Sequence, residues 1–336
     1  MQRRKPNATI VCFSPTCNMQ FDFSMVNSRY CIVGACSQGG RQTMEDVIKV
    51  EINTGEQACF LAVFDGHGGR EAAQYTRDHL WDNIKSVSEY KSSEPQDICK
   101  AITTGFIQTH DGMRKVVSNW ISKYDGYPST SGTTASCVIL RSVDSKLIYI
   151  ANVGDSQVVI GRASSNCDET KLTAEVITKN HKPDDKEEAR RIEELGGTLV
   201  KQNNGTTRVA WKRKRDPEGC SNACKKHCIE SIPFLNMTRS IGDFWSVTET
   251  NDFLISPIPD VHMRYLDDKV KFLVIASDGL WDVMNSQEVV DEIARNTEID
   301  DRRETIPHIL IKKALNKWNE RQCIADNVSV LIVFIY

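Results

Sequence analysis

Acidic residues stand beside glycine or asparagine where short apolar runs of the sequence end or begin. Asp65-Gly66 directly follows the run Ala58–Phe64, and Asp278-Gly279 closely follows Lys271–Ala276. Further acids near such runs are Glu45, Asp46, Asp155 and Asp326. Turns at the ends of strands can meet at one edge of a sheet, so these acids are candidates for a shared site.

A cluster of this kind suits hard divalent cations. Carboxylates repel one another unless cations lie between them, and Mg²⁺ and Mn²⁺ prefer carboxylate, carbonyl and water oxygens. Glycine allows the backbone to approach closely, so the Gly66 carbonyl is a further candidate ligand. Two metal ions can clamp a phosphoryl group and activate water. Arg41 suits phosphate binding, and His67 suits protonation of a leaving oxygen.

Each fragment taken alone also has a simpler explanation. An isolated Asp-Gly pair is usually a turn, and a single histidine such as His67 is more often structural than catalytic. Arg41 or Glu45-Asp46 alone would be solvated surface charges. Only the combination and order of the fragments favour a functional site.

Strands and helices that would position these residues are visible in the hydrophobic pattern. Short runs rich in valine and isoleucine predict strands, and apolar residues at helical spacing predict amphipathic helices. The predicted strands are Tyr30–Ala35, Ala58–Phe64, Thr133–Leu140, Lys146–Asn152, Gln157–Ile160, Lys271–Ala276 and Asn327–Tyr336. The predicted helices cover about residues 70–88, 98–120, 184–196, 286–296 with Ser286 as N-cap, and 307–319. Strict β-α-β alternation is absent from the pattern, which indicates an α+β domain with mainly antiparallel sheets.

Composition and charge exclude several classes of protein. The 336 residues carry a net charge of −3, which argues against general affinity for nucleic acid. Apolar runs such as Phe272–Ala276 and Val328–Tyr336 are too short for a membrane-spanning helix. The basic N-terminus lacks the long apolar segment of a secretory signal. The twelve cysteines are scattered, so we expect a reduced intracellular protein rather than a disulfide framework.

Two segments differ from the rest of the chain. Residues 1–28 are predicted to be an N-terminal extension, in which Ile10–Phe13 could add an edge strand, and residues 29–336 are predicted to form one domain. Residues 202–230 are predicted to be an exposed basic insertion loop, since 208–228 hold seven Lys or Arg and two acids. The basic candidates for binding an acidic substrate are Arg208, Lys212, Arg213, Lys214 and Arg215. Lys212–Arg215 is also a weak candidate for a nuclear import signal.

The same insertion contains Cys220, Cys224, His227 and Cys228. Zinc sites usually have tighter Cys-x2-Cys pairs, so a zinc site and a loop with free thiols both remain open.

Eight motifs in this order resemble the metal-dependent type 2C serine/threonine protein phosphatases, the PPM family. They cover about residues 30–336 and are RQTMED at 41–46, FDGHGG at 64–69, SGTTA at 131–135, NVGDS at 152–156, HKP at 181–183, TRSIGD at 238–243, SDGLWD at 277–282, and Asp326-Asn327. The resemblance implies two packed antiparallel β-sheets flanked by helices, an α-β-β-α sandwich, with a metal site at one end.

The resemblance also implies roles for individual residues. Two Mg²⁺ or Mn²⁺ ions are expected, bridged by Asp65, and a hydroxide between them would attack phosphorus. Arg41 would hold the substrate phosphate and His67 would protonate the leaving oxygen. The other expected ligands are Glu45 and the Gly66 carbonyl for one ion, and Asp278 and Asp326 for the other. Asp46 would act through metal-bound water, and Asp155, Asp278 and Asp282, with Asp243 as a less certain neighbour, match a third, weaker site.

Shorter stretches resemble the Wip, or delta-type, branch of the family. They are DGHGGREAAQ at 65–74, YPSTSGTTA at 127–135, RVAWKR at 208–213 and IPFL at 232–235. This resemblance implies phosphorylated DNA-damage or checkpoint proteins as partners and a nuclear location, with some protein in the cytoplasm. We expect a monomer that binds neither membranes nor nucleic acid directly. The alternatives are a scaffold that sequesters phosphoproteins with little turnover, and a hydrolase of small phosphoesters.

Overall fold

The computed structural model describes residues 9–11, 21–24, 30–53, 58–122, 128–141, 146–164, 171–214, 229–299 and 303–336. Its strands are β1 (Thr9–Val11), β2 (Phe21–Ser24), β3 (Tyr30–Ser37), β4 (Val47–Asn53), β5 (Ala58–Phe64), β6 (Gly66–His67), β7 (Gly132–Thr133), β8 (Ala135–Arg141), β9 (Leu147–Val153), β10 (Gln157–Ala163), β11 (Leu172–Val176), β12 (Leu199–Lys201), β13 (Thr207–Lys214), β14 (Ile229–Leu235), β15 (Ile241–Gly242), β16 (Asp260–Tyr265), β17 (Val270–Ala276) and β18 (Val328–Ile335). The helices are α1 (Glu71–Ser86), α2 (Pro95–Arg114), α3 (Lys186–Glu194), α4 (Asp278–Trp281), α5 (Ser286–Ile299) and α6 (Ile306–Glu320).

Two six-stranded antiparallel sheets form the centre of the domain. The first has the strand order β1-β4-β5-β8-β9-β16, and the second β11-β10-β17-β18-β3-β2. Alternation along β5 shows how they pack, because successive side chains in a strand point to opposite faces. Leu61 packs in the apolar cluster shared by both sheets, whereas Phe60 packs with Trp81 and Phe106 of α1 and α2.

The second sheet is covered in the same way on its outer face. Ile332 of β18 packs with Val290 of α5 and Leu310 of α6, whereas Leu331 lies in the cluster between the sheets. The architecture is therefore the predicted α-β-β-α sandwich.

Local sequence sets where the helices begin. Asp185 caps α3, with its Oδ1 accepting from the N–H groups of Glu187 and Glu188. At α5 the prediction of Ser286 as N-cap is wrong. Asn285 is the capping residue, because its Oδ1 accepts from the Glu288 N–H at 2.9 Å while the Glu288 carboxylate accepts from the Asn285 N–H at 2.9 Å.

The N-terminal extension contributes strands to the domain. Ile10 in β1 pairs with Val50 of β4, so the edge strand considered for this region is present and starts one residue earlier. Phe23 in β2 pairs with Ile32 of β3 at the edge of the other sheet.

The prediction of a loop throughout 202–230 is wrong for residues 207–214 and 229–230, which belong to strands, whereas residues 202–206 form the predicted loop. β12, β13 and β14 form a separate antiparallel sheet, in which Trp211 pairs with Ile232. Val209 and Trp211 are buried, and an apolar face of this kind stabilises a hairpin where a solvated loop was expected. The zinc candidates Cys220, Cys224, His227 and Cys228, together with Arg215, lie outside the described residues.

None of the described helices combines the length and apolarity needed to cross a membrane.

Candidate metal centre

The first acid of the site follows a strand that is buried along its whole length. Every residue of β5 is buried, and Asp65 stands at its end. Its backbone is held on both sides by Thr134, which donates from its N–H to the Asp65 carbonyl at 2.9 Å and accepts from the Asp65 N–H through Oγ1 at 3.1 Å. These bonds orient Asp65 and the following Gly66 at the sheet edge.

Gly66 is required by close backbone packing. A Cβ at this position would lie 2.6 Å from the Glu45 carbonyl oxygen, so any side chain would push the two segments apart. The backbone of Gly66 and the chain at Glu45 are thereby held against each other, as a shared ligand site requires.

The predicted ligands converge on one cleft of about 440 Å³. They reach it from the turns after β5 and β17 and before β4 and β18, although Arg41 and Asp326 are 285 residues apart in the chain. The predicted residues that line it are Arg41, Glu45, Asp65, Gly66, His67, Asp278 and Asp326, and the wall is completed by Gln42, Thr43, Gly68, Met237 and Asn327.

Asn327 fastens the turns together and was missed by sequence reasoning. Its Nδ2 donates to the carbonyls of Gln38 and Thr43 at 2.8 and 3.0 Å, and its Oδ1 accepts from the Glu45 N–H at 2.7 Å. The position of Asn327 beside Asp326 was the available signal, but only the fold shows that it binds residues far away in the chain.

Asp46 lies beneath the cleft. Its Oδ2 accepts from Ser277 Oγ at 2.8 Å, and its Oδ1 is buried without a hydrogen-bond partner among the described residues. Burial raises the pKa of the Asp46 carboxyl to about 6, although the hydrogen bond from Ser277 opposes the shift. An unsatisfied buried oxygen indicates a position that water or another donor can fill.

Burial and mutual repulsion dominate the electrostatics of the acids. Burial, followed by the charges of Asp46 and Asp278, raises the pKa of Asp65 well above its ordinary value. Burial, followed by the charges of Asp155 and Asp282, does the same for Asp278. Cations are the natural counter-charges for such a cluster.

Two of the acids are neutralised by side chains of the protein itself. Arg41 Nη2 lies 2.5 Å from Asp326 Oδ2, and Lys182 Nζ forms an ion pair with Asp155. Burial lowers the pKa of Lys182, but the charge and hydrogen bond of Asp155 outweigh this effect and raise it. Lys182 was noted in the HKP motif without a role, and its contact with Asp155 shows one.

The donor set fits hard divalent cations, but the ligands are not gathered into a finished coordination shell. Within the described ranges, no three His, Cys, Asp or Glu side chains are grouped so that they could hold an ion. One buried oxygen each of Asp46 and Asp155 lacks a hydrogen-bond partner among the described residues, and the pKa values of Asp65 and Asp278 are raised. Positive charge at this cluster would therefore be stabilising. An ion would compete with Arg41 for Asp326.

His67 pairs with Asp243 at the rim of the cleft. Its Nε2 lies 2.7 Å from Asp243 Oδ2, and the Asp243 side chain is fully buried. Burial lowers the pKa of His67, but the charge of Asp243 and the hydrogen bond to it outweigh burial and raise it. Both carboxylate oxygens of Asp243 already accept hydrogen bonds, and its predicted part in a third metal site stays a prediction.

Arg208 and Lys212 are not among the described residues that line the cleft. Arg208 Nε donates to Gln202 Oε1 at 2.9 Å, and its Nη1 donates to the Phe234 carbonyl at 2.9 Å. Lys212 is exposed and lines a separate cavity with Trp245. Arg213 and Lys214 belong to β13 by their backbone. Substrate binding by these residues stays a prediction.

Comparison with known proteins agrees with this architecture. The model of the family Protein phosphatase 2C matches residues 31–322, and the chain belongs to that family, whose members are metal-dependent.

Two curated relatives show how far the similarity extends. Probable protein phosphatase 2C 71 of Arabidopsis thaliana is 29% identical over 309 residues, covering 91% of this chain and 56% of the relative. Protein phosphatase 2C homolog 2 of Schizosaccharomyces pombe is 29% identical over 308 residues, covering 88% of this chain and 70% of the relative. The chain thus spans little more than half of the first relative's length.

The fold is similar to the crystal structure of serine-threonine phosphatase 2C from Toxoplasma gondii. The TM-score is 0.76 at 20% sequence identity, covering 98% of this chain and 100% of the other. At this identity the likeness concerns the fold alone.

Proposed function

We propose that this protein is a metal-dependent protein phosphatase that hydrolyses phosphoserine and phosphothreonine in proteins. The observation that carries the proposal is the convergence of four acids, Arg41 and His67 on one cleft. The acids can hold cations, the guanidinium can hold a phosphate, and the imidazole can protonate a leaving oxygen. Membership of the Protein phosphatase 2C family supports the same activity.

The proposed ions are Mg²⁺ or Mn²⁺, two to each chain, with a third, weaker site. When bound, they supply positive charge that balances the acids, holds phosphoryl oxygens and activates water. The residues proposed to hold the two ions are Glu45, Asp65, the Gly66 carbonyl, Asp278 and Asp326. The residues proposed for the third site are Asp155, Asp278 and Asp282.

The chain's own groups supply the remaining steps. Arg41 has a half-exposed side chain on the cleft wall, so its guanidinium is accessible to the substrate phosphate and suits two of its oxygens. To do so it must exchange Asp326 for the phosphate. His67 would give its proton to the seryl or threonyl oxygen as the phosphorus–oxygen bond breaks.

The resemblance to the Wip branch and the basic residues of β13 support a proposal for the substrates and location of this protein. We place the protein in that branch, acting on phosphorylated DNA-damage or checkpoint proteins, as a monomer in the nucleus and also in the cytoplasm. The exposed Lys212 is suited to acidic segments of a substrate. Replacement of Lys212–Arg215 by alanine in a fluorescent fusion should reduce nuclear accumulation, and unchanged accumulation would contradict a role as import signal.

The test of the activity is phosphate release from a phosphothreonine peptide with Mn²⁺ or Mg²⁺. EDTA should abolish release, and so should Asp278→Ala, whereas Asp268→Ala should not, because Asp268 is an exposed aspartate paired with Lys146. A folded chain that binds the peptide but releases no phosphate with either ion would contradict the proposal and favour the sequestering scaffold. Turnover of small phosphoesters without turnover of phosphopeptides would favour the other alternative, a hydrolase of small phosphoesters.

A further inference from the structure

His67 and Asp243 are brought together by a small sheet rather than by chance contact of two loops. The three-stranded sheet has the order β15-β7-β6. Gly132 of β7 pairs with His67 on one side and with Gly242 on the other. Asp243 directly follows Gly242, so the register of this sheet delivers its carboxylate to the imidazole.

Gly132 leaves no room for anything else between them. A Cβ at this position would lie 2.1 Å from Asp243 Oδ2 and 2.5 Å from His67 Nε2. The backbone of β7 is therefore in contact with the pair itself. A side chain at Gly132 would have to separate His67 from Asp243.

Two further hydrogen bonds hold the Asp243 carboxylate in one orientation, and a third holds its backbone. Its Oδ1 accepts from Trp245 Nε1 at 2.6 Å, and its Oδ2 also accepts from Ser240 Oγ. Its N–H donates to the Ser131 carbonyl at 3.1 Å. Its backbone has a φ of 53°, in the left-handed region, where aspartate is less strained than most other residues.

From this geometry we propose that Asp243 is a positioning residue for His67. This proposal rests on the phosphatase activity proposed above. It fixes the imidazole ring through Nε2, and Ser240 and Trp245 fix Asp243 in turn. His67 Nδ1 is buried and has no hydrogen-bond partner among the described residues. The proton on Nδ1 of an imidazolium is therefore the one not committed within the protein.

The step that this arrangement assists is proton delivery to the leaving group. A water oxygen bonds to phosphorus, the phosphorus–oxygen bond to the seryl or threonyl side chain breaks, and the leaving oxygen takes a proton from His67. One proton of the water stays on the product phosphate and the other passes to solvent, from which the neutral imidazole takes up a proton again. An alkoxide is a poor leaving group and needs the proton from His67. A nitrophenolate leaves without it, so the two leaving groups separate loss of proton delivery from loss of the rest of the site.

The decisive variant is Asp243→Asn, compared with wild type in saturating Mn²⁺. We expect kcat for a phosphothreonine peptide to fall by about 10²-fold or more, as for loss of a general acid, with KM little changed. With p-nitrophenyl phosphate we expect kcat to fall by less than about 5-fold, because that leaving group does not depend on protonation.

Two more conservative substitutions test the positioning role of Asp243 if Asp243→Asn does not fold. Trp245→Phe removes the donor to Asp243 and keeps an aromatic ring beside Phe234, whose ring centroid lies 4.8 Å away. Trp211→Phe makes the same change in the same cluster, 6.1 Å from Trp245, and keeps the Trp245 Nε1 hydrogen bond to Asp243. We expect the ratio of peptide to p-nitrophenyl phosphate turnover to fall by about 3- to 10-fold only in Trp245→Phe, in line with loss of one hydrogen bond to a charged group.

The outcomes separate the two proposals. Equal loss of both substrates in Asp243→Asn, or equal ratios in Trp245→Phe and Trp211→Phe, would overturn the positioning role while leaving the phosphatase activity intact. A folded wild-type chain that hydrolyses neither substrate would overturn the proposed function, and the positioning role with it.

Discussion

The contact between α1 and α2 allows a sharp test of the packing beside the site. Gly105 lies on α2 against Ile84 of α1, and a Cβ added at Gly105 would be 2.4 Å from Ile84 Cγ1 and 2.8 Å from its Cα and N. Two of these atoms belong to the backbone, so they cannot rotate away. Gly105→Ala must therefore push the helices apart.

The expected magnitude combines two opposing effects. Overpacking of this kind costs about 1–3 kcal/mol, and contact with backbone puts Gly105 at the upper end. Alanine recovers about 1 kcal/mol through its higher helix propensity. We expect Gly105→Ala to lower the free energy of unfolding by about 1–2 kcal/mol.

Gly112→Ala is the matched control on the same helix. A Cβ there would meet Tyr75 Oη at 2.7 Å, and a hydroxyl at the end of a half-buried side chain can move aside. Only the propensity gain then remains, and we expect the free energy of unfolding to rise by as much as ~1 kcal/mol.

Urea unfolding followed by tryptophan fluorescence, in buffer containing EDTA, measures both changes. If the free energy of unfolding falls with urea concentration at the same slope in wild type and variants, the differences between them lie in stability. The reasoning is refuted if Gly105→Ala is as stable as wild type, or if both substitutions shift stability in the same direction and by the same amount.

Further expectations concern charge and thiols. Asp278→Asn should abolish activity yet stabilise the metal-free protein at neutral pH. Burial is the chief cause that raises the folded-state pKa of Asp278, so its ionised carboxylate lowers the free energy of unfolding above the unfolded pKa. Urea unfolding in EDTA measures this effect, and a less stable variant would contradict it. Hydrogen bonding to His181 lowers the pKa of Asp260 to about 2, so its stabilisation is present above about pH 4 and is lost as the pH falls towards 2. Asp260→Asn should therefore lower the free energy of unfolding by about 1 kcal/mol at neutral pH, after allowance for solvent screening, and by progressively less in acid. A loss that does not depend on pH would argue against stabilisation by the ionised Asp260 carboxylate. Burial raises the pKa of the Cys59 and Cys137 thiols to about 12, so iodoacetamide should label the exposed Cys323 in the native protein and not those two, as mass spectrometry of the peptides would show.

The predicted strands and helices that were confirmed are those with strong local patterns. β5 was predicted with its observed bounds because each of its residues is apolar and the run ends at Asp65-Gly66. β16 was missed, since Asp260–Tyr265 is an edge strand with half-buried, mixed residues. Its pairing with β9 supplies a regularity that its own sequence does not show.

The hairpin of β13 and β14 shows the opposite error. The run of basic residues suggested a solvated loop, but Val209, Ala210 and Trp211, which lie directly before Lys212, are all buried. The neighbouring charges hid this short apolar segment, and pairing with β14 decided the outcome.

The choice of candidate site residues and their place at strand ends were determined by the sequence alone, since both depend on residue type and local hydrophobic pattern. The partners of those residues were decided only by the tertiary structure. Asp243 and His67 are 176 residues apart, and Ser277 and Asp46 are 231 residues apart. Hydrogen bonds across such separations depend on strand order and register, which arise when both sheets pack and not from the propensities of either segment.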